Sequence, residues 1–142
     1  MAKAKEIKKK VVVNTKKKVV VKKKNKKIVI KARIFVSATY NNTIVTMSDL
    51  NGQVLCTSSS GAVGFKGSKK STPYAAMKAA EDLVTKSQKY GVKEVDIYLA
   101  GAGNGKQMAI KGVKESGLTI LTLNDVTPLP HNGCRPSNRR KI

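Results

Sequence analysis

The sequence predicts an α/β fold, a mixed five-stranded sheet with two main helices against it, on three observations. Residues 28–59 alternate apolar and polar side chains around two turn signals, the pattern of an antiparallel meander. Residues 73–91 carry an apolar stripe at helical spacing between a capping residue and a glycine stop. Residues 92–123 read strand, glycine-rich turn, helix, strand over about 30 residues, the span of a right-handed parallel crossover.

The elements follow in order. Ile28, Ile30, Ala32, Ile34, Val36 and Ala38 share one face of a long first strand, with Val29, Lys31, Arg33, Phe35 and Ser37 on the other. Asn41 and Asn42 make a turn, Thr43–Ser48 is a β-branched second strand, and Asn51-Gly52 leads back into Val54–Ser59. A basic loop rich in Gly and Ser then feeds a helix whose start is marked by Ser71, Thr72 and Pro73. Ala76, Met77, Ala80, Leu83 and Val84 form its apolar stripe, and Gly91 suits a left-handed stop. Val92–Ala100 is the fourth strand, Gln107–Ser116 the second helix with Gly112 inside it, and Leu118–Leu123 the fifth strand. Beyond Asn124 periodicity stops and prolines stiffen the chain. The organisation expected is a Lys/Val-rich disordered arm over 1–27, an α/β body over 28–124 and an extended basic tail over 125–142.

Charge sets the partner class. The 142 residues hold 29 Lys and Arg against 8 acids, a net charge of +21. Residues 1–27 contribute +12 and residues 131–142 contribute +4, so most of the excess sits on the ends. An imbalance of this size favours a polyanionic partner, which nucleic acid or an acidic membrane surface would satisfy. The membrane reading ranks last, because there is no spanning run, lipidation signal or amphipathic basic helix. Neither a secretory signal nor a transit peptide is expected. Cys56, Cys134 and the single His131 are too few for a disulfide scaffold or a four-ligand zinc site, and a reducing cytoplasm is the default.

The chemistry points to the start of the first helix. Lys66, Lys69 and Lys70 precede it, Gly61, Gly64 and Gly67 leave the backbone accessible, and no acid lies between Leu50 and Ala80. Free N–H groups and the positive end of the helix dipole favour an anion there. The second loop, Gly101 to Lys106, fails both nucleotide-binding patterns: Ala100 and Gln107 break a P-loop, and Lys106 stands where a dinucleotide fingerprint needs glycine. A sugar-phosphate contact through its backbone and Lys106 stays open. A rival reading is a magnesium nuclease using Asp49, Asp96 and Asp125. Cys134 is expected to be small and buried. With no clear aromatic pair on one strand, RNA recognition by shape and backbone is favoured over base stacking.

Three motifs carry a resemblance: N-N-T-I-V-T at Asn41–Thr46, G-F-K-G-S-K-K-S-T-P-Y-A-A at Gly64–Ala76 and D-V-T-P-L-P-H-N-G-C-R-P at Asp125–Pro136. In order and spacing the chain resembles the eleventh protein of the small ribosomal subunit, bacterial or organellar type, over residues 28–142. The resemblance implies a ribonuclease-H-like fold without catalysis or cofactor. It implies a place on the platform of the small subunit, bridging ribosomal RNA helices beside the cleft for the messenger leader. Neighbours would be small-subunit proteins seven, eighteen and six, with no membrane and no homo-oligomer. Expected RNA contacts are Lys31, Arg33, Asn41, Asn42, Lys66, Gly67, Ser68, Lys69, Lys70, Ser71, Gly103, Gly105, Lys106, His131, Asn132, Gly133, Arg135, Arg139, Arg140 and Lys141. Where the family's second glycine loop reads like K-G-P-G-P-G-R, this chain has A-G-A-G-N-G-K, with one basic residue and the prolines gone.

Overall fold

Alternation with a β-branched bias makes β1 (Lys31–Ala38), β2 (Thr43–Ser48) and β3 (Val54–Ser59) an antiparallel meander in the computed structural model, which describes residues 28–135 and 137–138. The expected arm, Arg139, Arg140 and Lys141 lie outside the described residues. The remaining elements are α1 (Pro73–Ser87), β4 (Glu94–Ala100), α2 (Gly105–Glu115) and β5 (Thr119–Asp125). The sheet order is β3-β2-β1-β4-β5, with β4 parallel to both β1 and β5, so the mixed five-stranded expectation holds.

Both helices lie on one face. Ala32, Ile34 and Val36 of β1, Val45 and Met47 of β2 and Val95, Ile97 and Leu99 of β4 meet Ala79, Ala80 and Leu83 of α1 and Ala109 and Val113 of α2 in a single core. The buried stripe of α1 is Ala75, Ala76, Ala79, Ala80, Leu83 and Val84, so Ala75 and Ala79 replace Met77, which is only half-buried. Small side chains let the helices approach closely. A Cβ on Gly112 would stand 2.8 Å from the Met77 carbonyl oxygen and 3.1 Å from Ala80 Cβ, which explains a glycine inside a helix. Thr72 caps α1 by accepting from the Ala75 N–H with Pro73 beside it, and Gly91 ends the following 3-10 turn at φ 71°.

Several boundaries differ from expectation, among them the start of β4, at Glu94 rather than Val92. Ile28 and Ile30 do not extend the core face of β1; they project past the sheet and are exposed. α2 starts at Gly105 rather than Gln107, and β5 runs through Asp125. Among the described residues no helix is long and apolar enough to cross a membrane.

Candidate nucleic-acid interface

Strand directions place the Thr39–Asn42 turn, the 60–72 loop, the 101–104 loop, both helix N-termini and the start of the tail at one end of the sheet, here the loop end. Local bonds tie them together: Ser60 N–H donates to the Thr43 carbonyl, Gly103 N–H to that of Ala38 and Val126 N–H to that of Leu99. Asn41, Asn42, Lys66 through Ser71, Gly103, Gly105 and Lys106 therefore converge. His131, Asn132, Gly133 and Arg135 are exposed on the tail leaving this end, with Asn132 in left-handed backbone at φ 48°. Lys31 and Arg33 stand apart, on the sheet face that the helices leave uncovered and toward the opposite end.

The first loop is built outward. Phe65 packs edge-on against Tyr74, with ring centroids 6.1 Å apart, which folds the loop back over the first turn of α1. Gly67–Ser71 forms a 3-10 turn, where the sequence suggested only loop. It is braced by the hydroxyls of Ser71 and Thr72 donating to the carbonyls of Ser68 and Lys69, both at 2.8 Å. Gly64 and Gly67 adopt φ 107° and 56°, and nothing lies within 4 Å of where their Cβ would be. Lys66 and Lys69 are exposed, and Lys70 lies across Gly61.

Pairing elsewhere sharpens this charge. Asp96, Glu81, Asp82, Asp125 and Glu115 are matched by Lys31, Lys78, Lys86, Lys106 and Lys111 respectively. Among the described residues no carboxylate answers Lys66, Lys69 or Lys70, and α1 has no acid in its first turn. Free cations at a positive helix end suit an extended polyanion.

The second loop is turned inward. A Cβ on Gly101 would lie 2.1 Å from the Ala38 carbonyl oxygen, one on Gly103 2.4 Å from that of Thr39, and one on Gly105 2.3 Å from Thr43 Oγ1. These glycines admit the chain's own backbone. Lys106 Nζ donates to Asp125 Oδ2 and Thr127 Oγ1, both at 2.9 Å, pinning the start of the tail to α2. The Thr127 hydroxyl, Lys106 and the Thr127 N–H together hold the Asp125 carboxyl down at about 2. Ala102 and Asn104 are exposed here, Gly103 and Gly105 are buried and Lys106 is half-buried.

The three aspartates of the nuclease reading are not brought together. Asp49 Oδ1 accepts from Gln53 N–H in the β2–β3 turn, Asp96 accepts from Thr122 midway across the sheet, and Asp125 serves the tail. Among the described residues no three acids, histidines or cysteines group to hold a metal ion. Burial pushes the Cys56 thiol up, away from reactivity, whereas Cys134 is exposed, against expectation.

Sequence reasoning missed an aromatic pair. Phe35 and Tyr98 stack on the uncovered face with centroids 5.2 Å apart and planes at 18°. They meet only because β4 lands parallel beside β1 in the register Phe35 to Tyr98. No signal local to either strand announces that.

The family model for ribosomal protein S11 matches residues 32–141. The chain belongs to the ribosomal protein S11 family. It is 48% identical to the small ribosomal subunit protein uS11 of Campylobacter fetus subsp. fetus, covering 100% of both chains. The uS11 proteins of Nautilia profundicola and Helicobacter pylori are 54% and 52% identical over 77% of this chain, and 85% and 84% of their own lengths are covered. The family is one of structural proteins of the small ribosomal subunit, so the chain is not an enzyme.

Proposed function

We propose that this chain binds small-subunit ribosomal RNA through its loop end, as a structural constituent of the small subunit in the cytoplasm. The observation that carries the reading is Lys66, Lys69 and Lys70, unpaired among the described residues, around an open glycine loop at the α1 N-terminus. Lysines there neutralise phosphates, Gly64 and Gly67 admit the RNA backbone, and Asn41 and Asn42 offer side-chain amides alongside. The tail, from His131 to Arg135 and on through Arg139, Arg140 and Lys141, extends the contact to a second RNA segment. Lys31 and Arg33, beside Phe35 and Tyr98, form a smaller separate contact on the uncovered sheet face. An adapter with two basic extremities fits the platform, where it bridges RNA helices near the messenger leader with proteins seven, eighteen and six as neighbours. The body over 28–124 carries the sheet up to the last residue of β5, and the segments on either side act as RNA-binding extensions.

Sucrose-gradient sedimentation of native lysate tests this reading. Comigration with the small subunit that survives a high-salt wash is expected. Release from the particle at moderate salt, or sedimentation as free protein, would refute it.

A further inference from the structure

The sheet face that the helices leave uncovered carries one row of side chains across every strand. The pairing registers align Thr57 of β3, Thr46 of β2, Phe35 of β1, Tyr98 of β4 and Asn124 of β5. At the centre of the row Phe35 and Tyr98 stack, with ring centroids 5.2 Å apart and planes at 18°. Near-parallel rings turn one face to each other and keep one outer face each. The outer face of Phe35 lies on the Thr46 side and that of Tyr98 on the Asn124 side, and both neighbours are too short to cover a ring. Phe35 stays 42% exposed, while Ile34 and Ile97 on the helix face of the same strands are fully buried. The core therefore makes no use of this pair.

The surroundings select the occupant. Arg33 stands two residues from Phe35 on the same face. It has no ion pair among the described residues, and its Nε is shielded from solvent without a hydrogen-bond partner. Its register neighbour Asp96 is held instead by the Thr122 hydroxyl at 2.8 Å and by Lys31 at 3.8 Å. A cation suited to a phosphate thus sits beside two ring faces suited to a base. The rest of the row is hydroxyl and amide. Those groups match base edges and ribose hydroxyls, and they give an apolar protein surface little to bury against. Bases in a duplex are already stacked on one another, so only an unpaired nucleotide can use the rings.

We propose that Phe35 and Tyr98 hold an unpaired nucleotide of the small-subunit ribosomal RNA, its base stacked on an outer ring face and its phosphate on Arg33. This contact presupposes the proposed binding of ribosomal RNA and is separate from the lysine loop. Two variants of the full chain test it. Phe35→Leu with Tyr98→Leu keeps apolar bulk and removes the ring faces, whereas Tyr98→Phe alone retains them. Each is bound to an oligouridine strand about ten nucleotides long and to an RNA duplex of the same length. The leucine pair is expected to weaken single-strand binding about tenfold. Duplex binding and the slope of log affinity against log salt should stay as they were, since no phosphate contact is removed. Tyr98→Phe should bind both RNAs like the native chain. No loss on the single strand, or an equal loss on both RNAs, would overturn the proposal. In purified small subunits free of messenger, a photo-crosslinking benzoyl-phenylalanine at Phe35 is expected to capture one unpaired ribosomal RNA nucleotide. Capture of a protein, capture of RNA only after messenger is added, or no capture would overturn it as well. Failure to cosediment with the small subunit removes the ribosomal reading itself, whereas cosedimentation with no single-strand loss removes only this contact.

Discussion

Two glycine-rich loops, each leading into a helix at the same end of the sheet, have opposite uses. Around Gly64 and Gly67 the missing side chains leave open space, and the neighbouring lysines have no carboxylate partner among the described residues. Around Gly101, Gly103 and Gly105 the missing side chains are filled by the chain's own backbone and Thr43, and Lys106 is held by Asp125 and Thr127. Glycine beside a helix start is therefore ambiguous: it can admit a ligand or admit the fold. What separates the two is whether anything already occupies the space.

The sharpest contrast should come from adding one methyl group to each loop. Gly103→Ala forces a carbon against the Thr39 carbonyl and is expected to cost about 3 kcal/mol in urea unfolding. Gly64→Ala meets no atom and should cost only the strain of its positive φ, about 1 to 2 kcal/mol. Equal costs would erase the distinction.

Much of this architecture was legible beforehand. β2 and β3 were bounded correctly because β-branched alternation and an Asn-Gly turn are local signals, and Thr72-Pro73 with Gly91 bracketed the first helix for the same reason. The closed character of the second loop was not legible, because it depends on β4 arriving parallel beside β1 and bringing Gly101 and Gly103 onto Ala38 and Thr39. The Phe35–Tyr98 stack was hidden by that same long-range pairing. Lys106 read as a phosphate ligand because its partners, Asp125 and Thr127, lie about twenty residues downstream.

A smaller effect tests the closed loop by pH. The Asp125 carboxyl is depressed from 3.8 to about 2, first by the Thr127 hydroxyl and then by Lys106. Because the folded value lies below the unfolded one, its contribution to stability is complete above about pH 4 and is lost as pH falls through about 2. In an NMR titration Thr127→Val should raise the Asp125 value more than Lys106→Met does, and both should raise it. An unmoved carboxyl in Lys106→Met would mean the lysine is free to meet RNA.

The most direct measurement is the slope of log affinity against log salt for a small-subunit RNA fragment bound by two variants. Replacing Lys66, Lys69 and Lys70 together by Ala should flatten the slope by about 2 to 3, since each phosphate contact contributes about 0.7 to 0.9, and the unfolding midpoint should stay in place. Lys106→Ala should leave the slope as it was. A slope that survives the triple substitution but falls with Lys106→Ala would contradict the account.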